Sequence, residues 1–90
     1  MKHEKGALEI LIAPVATEAT FALTEEHNKL AFIVHKGANK KAIRDAVEKL
    51  FNVKVVKINT LITYEGKKKA YVRLSDSDSA LDIATQFGLF

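Results

Sequence analysis

Basic residues surround the predicted start of a central helix and could bind an anion there. Asn39 is a good N-cap residue because its side-chain oxygen can accept a hydrogen bond from the first helical turn. The first N–H groups of a helix lack partners within the helix, so a phosphate can bind them together with nearby cations. The cations of this predicted anion-binding corner are Lys36, Lys40, Lys41 and Arg44.

The same cations have a second interpretation, in which carboxylates on the helix surface neutralise them. Lys41 and Asp45 have the i,i+4 spacing of a helical ion pair, and so do Arg44 and Glu48. The other two lysines of the corner have no such local partner. The sequence therefore favours anion binding at this corner and leaves a paired, solvated helix surface open.

A second basic cluster lies in a predicted β-hairpin whose tip contains Gly66. Three consecutive lysines follow the tip, and the strand that they begin places basic and aromatic side chains on one face. Lysine and arginine neutralise phosphates, tyrosine stacks on unpaired bases, and asparagine can hydrogen-bond a base edge. An ordinary solvated sheet face is the alternative. The predicted RNA-binding residues here are Lys67, Lys68, Lys69, Tyr71 and Arg73, with Lys57 and Asn59 on the neighbouring strand.

The sequence offers little for catalysis or metal binding. Its histidines are scattered, and its glycines form no phosphate-cradling loop. Asp76 and Asp78 lack the glycine and the closing glutamate of an EF-hand calcium loop, so helix capping explains them better. We expect no catalytic residue, no cofactor, no metal and no small-molecule substrate.

Length and composition predict one small domain, residues 1–90. With 90 residues, of which 48% are hydrophobic, the chain can bury one core but not a deep catalytic cleft as well. The longest apolar run, Ile10 to Ala16, is interrupted by Pro14 and is too short to span a membrane. The absence of cysteine excludes disulfides and cysteine-based zinc sites. The net charge of +3 permits a nucleic-acid partner, and we expect a cytoplasmic location.

The elements that position these residues alternate along the first half of the chain. Leu8 to Ile12 is predicted to be a strand, ended by Pro14. Val15 to Thr24 is predicted to be a helix that its three threonines weaken, followed by a turn over residues 25–28. The apolar run from Lys29 to His35 predicts a strand covered on both faces.

In the second half, apolar residues from Ala42 to Phe51 recur at spacings of three and four, which predicts one amphipathic helix ended by Asn52. Val53 to Thr63 predicts a strand whose apolar phase shifts at Val55-Val56, as a β-bulge would explain. Lys69 to Leu74 alternates between apolar and polar residues, which predicts a second strand of the hairpin.

A third helix is predicted near the C-terminus. Ser75 and Asp78 have the spacing of a capping box, and Gly88 is placed to end the helix. Helices packed on a mostly antiparallel sheet make an α+β fold, with elements in the order β-α-β-α-β-β-α.

Six segments of the chain follow one another in a specific order and spacing. They are Ile12–Glu18, Asn28–Val34, Ala38–Ile43, Ala46–Val53, Val56–Thr60 and Lys68–Val72. Together they resemble the universal large-subunit ribosomal proteins of the L23 family, from about Leu8 to the C-terminus. The short loop Glu65-Gly66-Lys67 and the ending Gly88-Leu89-Phe90 resemble the archaeal branch of that family.

The resemblance implies a primary rRNA-binding protein at the rim of the polypeptide exit tunnel, with the same order of strands and helices. It also implies that Glu18 faces factors that meet nascent chains, such as the signal recognition particle. Ala19 stands where the family often has lysine, which removes one candidate RNA contact. The positions that the resemblance places near rRNA are Lys40, Lys57, Asn59, Thr60 and Lys69.

We therefore expect a structural constituent of the large ribosomal subunit, located on the ribosome in the cytoplasm. Its expected partners are large-subunit rRNA, neighbouring ribosomal proteins and nascent-chain factors. The alternative is a stand-alone protein-interaction module that acts through Glu18 and its helix and is not bound to ribosomes.

Overall fold

A four-stranded antiparallel sheet and a set of helices make up the part of the chain that the computed structural model describes, which is the backbone of residues 7–89 and the side chains of residues 9–89. The strands are β1 (Leu11–Pro14), β2 (Lys29–Val34), β3 (Val55–Ile62) and β4 (Lys68–Leu74). The helices are α1 (Ala7–Ile10), α2 (Glu18–His27), α3 (Lys40–Phe51) and α4 (Ala80–Gln86). The strands lie in the order β1-β2-β4-β3. The predicted α+β fold is confirmed, with α1 as an additional helical turn before β1.

One face of this sheet carries the hydrophobic core. The alternation of β4 turns Ala70, Val72 and Leu74 inward, and each is at most 1% exposed. The apolar stripe of α3 covers them with the fully buried side chains of Ile43 and Val47, as its spacing predicted. No helix within residues 7–89 is long and apolar enough to cross a membrane.

The predicted bulge in β3 is confirmed at Val56. The register with β4 shifts between Val55 and Lys57, so Val56 is the extra residue. Val55 is buried, whereas Val56 is 58% exposed. The bulge therefore lets both Val55 and Ile58 join the core and turns Lys57 to the opposite face.

The prediction of a strand from Leu8 to Ile12 was wrong at both ends. The chain forms α1 first, and β1 continues to Pro14. Ile10 and Leu11 are both buried in the core, and α1 packs against α3, so tertiary burial decides the conformation here. Pro14 is tolerated in β1 because this is an edge strand, where a missing N–H leaves no neighbour unpaired.

Helix α2 begins and ends three residues later than its predicted bounds. Thr17 is its N-cap, and a capping box forms in which Thr17 Oγ1 accepts from the N–H of Thr20 while Thr20 Oγ1 accepts from the N–H of Thr17. The buried Thr24 hydroxyl lies 3.0 Å from the carbonyl oxygen of Thr20 and 2.7 Å from that of Lys29. The threonines thus fix the ends of the helix rather than weakening it, and residues 25–27 are helical instead of a turn.

Asn28 ends α2 and connects it to the other end of the chain. Its backbone is left-handed, with φ 57° and ψ 40°. Its side-chain Nδ2 donates to the carbonyl oxygens of Leu74, Ser75 and Asp78, over 3.2, 3.1 and 2.8 Å. Its Oδ1 accepts from the N–H of Ala80 over 2.7 Å. One side chain therefore joins the end of α2, the end of β4 and the start of α4.

The capping box predicted from Ser75 and Asp78 was wrong. The N-cap of α4 is Ser79, whose hydroxyl accepts from the N–H of Asp82 over 3.2 Å. Asp78 instead accepts with Oδ2 from the N–H of Lys54 over 2.9 Å, so it holds the chain that leads into β3.

Candidate nucleic-acid interface

The sheet face opposite the core carries most of the predicted RNA-binding residues of β3 and β4. Directly opposed residues of antiparallel strands project on the same side of the sheet. Lys57, Asn59 and Arg73 are exposed, and Lys69 and Tyr71 are half-buried. The opposed pairs on this surface, called here the open face, are Lys57–Arg73, Asn59–Tyr71 and Leu61–Lys69. The alternation of residues along the two strands therefore predicted correctly that these residues share one face of the sheet.

Strand β2 extends the open face on the other side of β4. Lys29 lies opposite Arg73, Ala31 opposite Tyr71, and Ile33 opposite Lys69. Lys29 was not among the residues predicted to bind RNA, although the period of two in β2 places it on one face with Ala31 and Ile33. The prediction that β2 is covered on both faces holds for Ala31, which is buried, but Lys29 and Ile33 are partly exposed.

A groove of about 160 Å³ lies between the first turns of α3 and the start of β3. Val55, Val56 and Ile58 give the groove an apolar part, and the bulge exposes Val56 there. The lining residues are Lys40, Lys41, Arg44, Val55, Val56, Lys57 and Ile58. Lys57 belongs both to this groove and to the open face, so the two surfaces are contiguous.

The alternative of carboxylates neutralising the helix surface is not realised in residues 9–89. Neither Lys41 nor Arg44 forms an ion pair there. The Oε2 atom of Glu48 accepts from the N–H of Val55 over 2.9 Å instead. The first turn of α3 contains no acidic residue. Cations at this end oppose the helix dipole, so an external anion would be stabilised by both the helix and the cations.

The hairpin tip and the anion-binding corner, which the sequence separates, meet in space. Lys68 Nζ donates to the carbonyl oxygen of Ala38 over 2.6 Å, just before the N-cap of α3. A Cβ placed on Gly66 would lie 3.5 Å from Lys36 Nζ, and the φ of 83° at Gly66 suits glycine. The two predicted basic clusters therefore form one region.

Other predicted residues stand apart from the open face. Lys68 and Thr60 occupy the alternate strand positions, which lie on the core side of the sheet, and both are half-buried. Lys67 is exposed in the hairpin loop. The same loop contains Tyr64, which is 98% exposed and was not predicted as a contact. Glu18 is exposed at the first residue of α2, where the helix dipole favours a carboxylate.

Comparison with known proteins identifies the family. Residues 9–80 match the family described as Ribosomal protein L23. The chain belongs to the ribosomal protein L23 family. Every candidate residue from Glu18 to Arg73 lies within the part that matches L23.

The names of two curated relatives describe them as proteins of the large ribosomal subunit. The Large ribosomal subunit protein uL23A of Caenorhabditis elegans is 51% identical over 80 residues, which are 89% of this chain and 54% of the relative. The Large ribosomal subunit protein uL23 of Trypanosoma brucei brucei is 47% identical over 89 residues, which are 99% of this chain and 54% of the relative. The chain thus spans about half the length of these relatives.

The assignment to the archaeal L23 branch is not supported by these comparisons, since both relatives are eukaryotic. Of the residues on which that assignment rested, Gly66 lies in the short hairpin loop and Gly88 follows α4 with a φ of 65°. Phe90 lies outside the described residues.

Proposed function

We propose that this chain is a structural constituent of the large ribosomal subunit that binds large-subunit rRNA near the polypeptide exit tunnel. The observation that carries the proposal is the continuous cationic surface made by the open face and the groove. No acidic residue occurs in β2, β3 or β4. Membership of a family of ribosomal proteins, which are structural components and not enzymes, supports this setting and a ribosomal location in the cytoplasm.

Electrostatics and shape share the work of binding. The cations of the groove and the open face neutralise phosphates and release counterions, which makes binding salt-dependent. Tyr71 offers an aromatic ring between Lys69 and Arg73 on the open face. Asn59, which lies opposite Tyr71, offers an amide for a base edge. A net charge of +3 is small for a polyanion ligand, so the fit of the surface to folded rRNA must supply specificity.

Two paired-charge variants test this proposal against a matched control. Lys40→Gln/Lys41→Gln removes two charges from the groove, and Lys57→Gln/Arg73→Gln removes two from the open face. The control, Lys49→Gln/Lys54→Gln, removes two exposed charges that neither line the groove nor lie on a described strand. Each variant is titrated with large-subunit rRNA between about 50 and 200 mM KCl, where phosphate contacts make affinity strongly salt-dependent.

The two interface variants are expected to bind large-subunit rRNA more weakly. The slope of log K against log[KCl] is expected to become shallower by roughly 0.7–0.9 for each phosphate that the variant no longer neutralises. The control is expected to keep both the affinity and the slope. Wild-type protein that fails to bind large-subunit rRNA would contradict the proposed function.

A second part of the proposal concerns Glu18. Its exposed carboxylate stands at the start of α2, next to the partly exposed Phe21 one turn later. We propose that this end of α2 faces nascent-chain factors, such as the signal recognition particle, while other surfaces contact neighbouring ribosomal proteins. Ribosomes carrying Glu18→Lys are expected to recruit such factors less well than ribosomes carrying the control Glu25→Lys, from the last turns of the same helix.

The stand-alone interaction module is the competing hypothesis, and the family assignment disfavours it. Affinity capture of the tagged chain before and after nuclease treatment separates the two. A ribosomal protein is expected to lose most co-purifying proteins when rRNA is digested. A module acting through α2 would retain them.

Within the family, an archaeal origin stays a proposal that rests on the short loop Glu65-Gly66-Lys67 and on the C-terminal residues. Binding to archaeal rather than eukaryotic large-subunit rRNA by the same chain would support it. A preference for eukaryotic rRNA would contradict it.

A further inference from the structure

Three cations form a row across three strands, near the end of the sheet where β2 and β3 begin and β4 ends. Lys29 of β2 and Lys57 of β3 both lie opposite Arg73 of β4, on the open face. Neighbouring strands are about 4.8 Å apart, so the row crosses three strands over about 10 Å. The sequence separates these residues widely, and antiparallel pairing alone brings them together.

Such a row is unfavourable in the isolated protein. Like charges placed directly opposite each other in a sheet destabilise it. The three strands contain no acidic residue to separate the charges, and none of the three cations forms an ion pair within residues 9–89. The exposed positions of Arg73 and Lys57 would accept neutral side chains without loss of the core. Folding therefore gives no reason for this arrangement, whereas a bound polyanion would relieve its repulsion.

We infer that Lys29 is an RNA-binding residue, the third member of a phosphate-binding row with Arg73 and Lys57. This inference rests on the proposed rRNA-binding function and adds to it a residue and a direction. Each cation can neutralise one phosphate, so the row can face two or three phosphates of one RNA strand. The RNA backbone then crosses the strands, and Tyr71 lies one row further along β4, beside its path. Lys29 is half-buried, and its long stem lets the amine reach solvent from that position.

The test compares rRNA binding by Lys29→Gln with rRNA binding by the control Lys49→Gln. The control removes one exposed charge from the last turn of α3. Both are titrated with large-subunit rRNA at several KCl concentrations. We expect Lys29→Gln to weaken binding by roughly three- to tenfold at low salt and to lower the salt slope by roughly 0.7–0.9. Lys29→Arg, which keeps the charge, is expected to restore both.

A second measurement reports on the row in the absence of RNA. Thermal unfolding of the free protein is followed at low and high KCl. Since salt screens repulsion between exposed charges, Arg73→Gln is expected to raise the melting temperature at low salt and to reduce its salt dependence. Arg73 is the middle member, so its replacement removes both repulsive pairs.

The outcomes separate this inference from the proposed function. Wild-type binding together with a Lys29→Gln variant that behaves like Lys49→Gln overturns the role of Lys29 and leaves the proposed function intact. Absence of wild-type binding overturns both. If circular dichroism shows that Lys29→Gln is unfolded, the salt slope of rRNA binding is compared among wild type, Lys29→Ala and Lys29→Arg instead. Equal slopes for all three contradict the inference.

Discussion

The amine of Lys68 donates a 2.6 Å hydrogen bond to the carbonyl oxygen of Ala38, a residue 30 positions earlier in the chain. This contact ties the start of β4 to the segment that leads into α3. It therefore holds the hairpin against the anion-binding corner. One lysine of the basic run 67–69 thus stabilises the protein, while its neighbours remain available for other contacts.

Lys68→Met keeps the aliphatic stem and removes the donor to Ala38. Hydrogen bonds to charged groups contribute about 1.5–3 kcal/mol, and solvent screening of this half-buried amine reduces that, so we expect a loss of about 1–2 kcal/mol in the free energy of unfolding. Urea denaturation measures it. Lys67→Met is the control, because Lys67 is exposed and uses its backbone rather than its side chain in the loop. Equal losses in the two variants would contradict the role given to Lys68.

Asn28→Gly keeps the left-handed backbone but removes every side-chain hydrogen bond that joins α2, β4 and α4. The Asn28 amide has two N–H groups and one oxygen, so about three bonds of about 0.5–1.5 kcal/mol each are lost, and we expect the free energy of unfolding to fall by about 1.5–4.5 kcal/mol. The matched control is Asn52→Gly. Asn52 also has a left-handed backbone, with φ 55°, but its side chain forms no hydrogen bond within residues 9–89. That variant is expected to change stability by less than about 0.5 kcal/mol.

Val55→Ala and Val56→Ala test the bulge, since the two valines are adjacent in sequence and differ in burial. Val55 is 5% exposed and Val56 is 58% exposed. We expect a loss of about 2 kcal/mol for Val55→Ala and less than about 0.5 kcal/mol for Val56→Ala, measured by chemical denaturation. The reverse ranking would show that the register shift lies elsewhere in β3.

Tyr71→Leu tests base stacking on the open face. Base–aromatic stacking is worth about 1–3 kcal/mol per base, so rRNA affinity is expected to fall by roughly 5- to 150-fold. Tyr71→Phe keeps the ring and is expected to retain most of the affinity. Tyr64→Leu at the hairpin tip serves as the control for loss of an exposed aromatic ring. If Tyr71→Phe loses as much affinity as Tyr71→Leu, the hydroxyl rather than the ring makes the contact.

Local signals were sufficient for the elements whose pattern is short-range. The spacing of apolar residues predicted α3, and Asn39 and Asn52 cap it as expected. The phase shift at Val55-Val56 predicted the bulge, and the alternation of β4 predicted which face is buried. These features depend on residues within one or two turns or strand repeats of each other, which is why the sequence alone determined them.

Tertiary structure decided what depends on partners far along the chain. The helical turn before β1 forms because Ile10 and Leu11 bury against α3, against the local strand pattern. The side-chain hydrogen bonds of Asn28 span 46 to 52 positions, so no local sequence motif predicts them. The sequence determined that lysines and arginine occur on alternating strand positions. The strand order β1-β2-β4-β3 decided that Lys29, Arg73 and Lys57 meet in one row, because cross-strand neighbours are set by register and not by sequence distance.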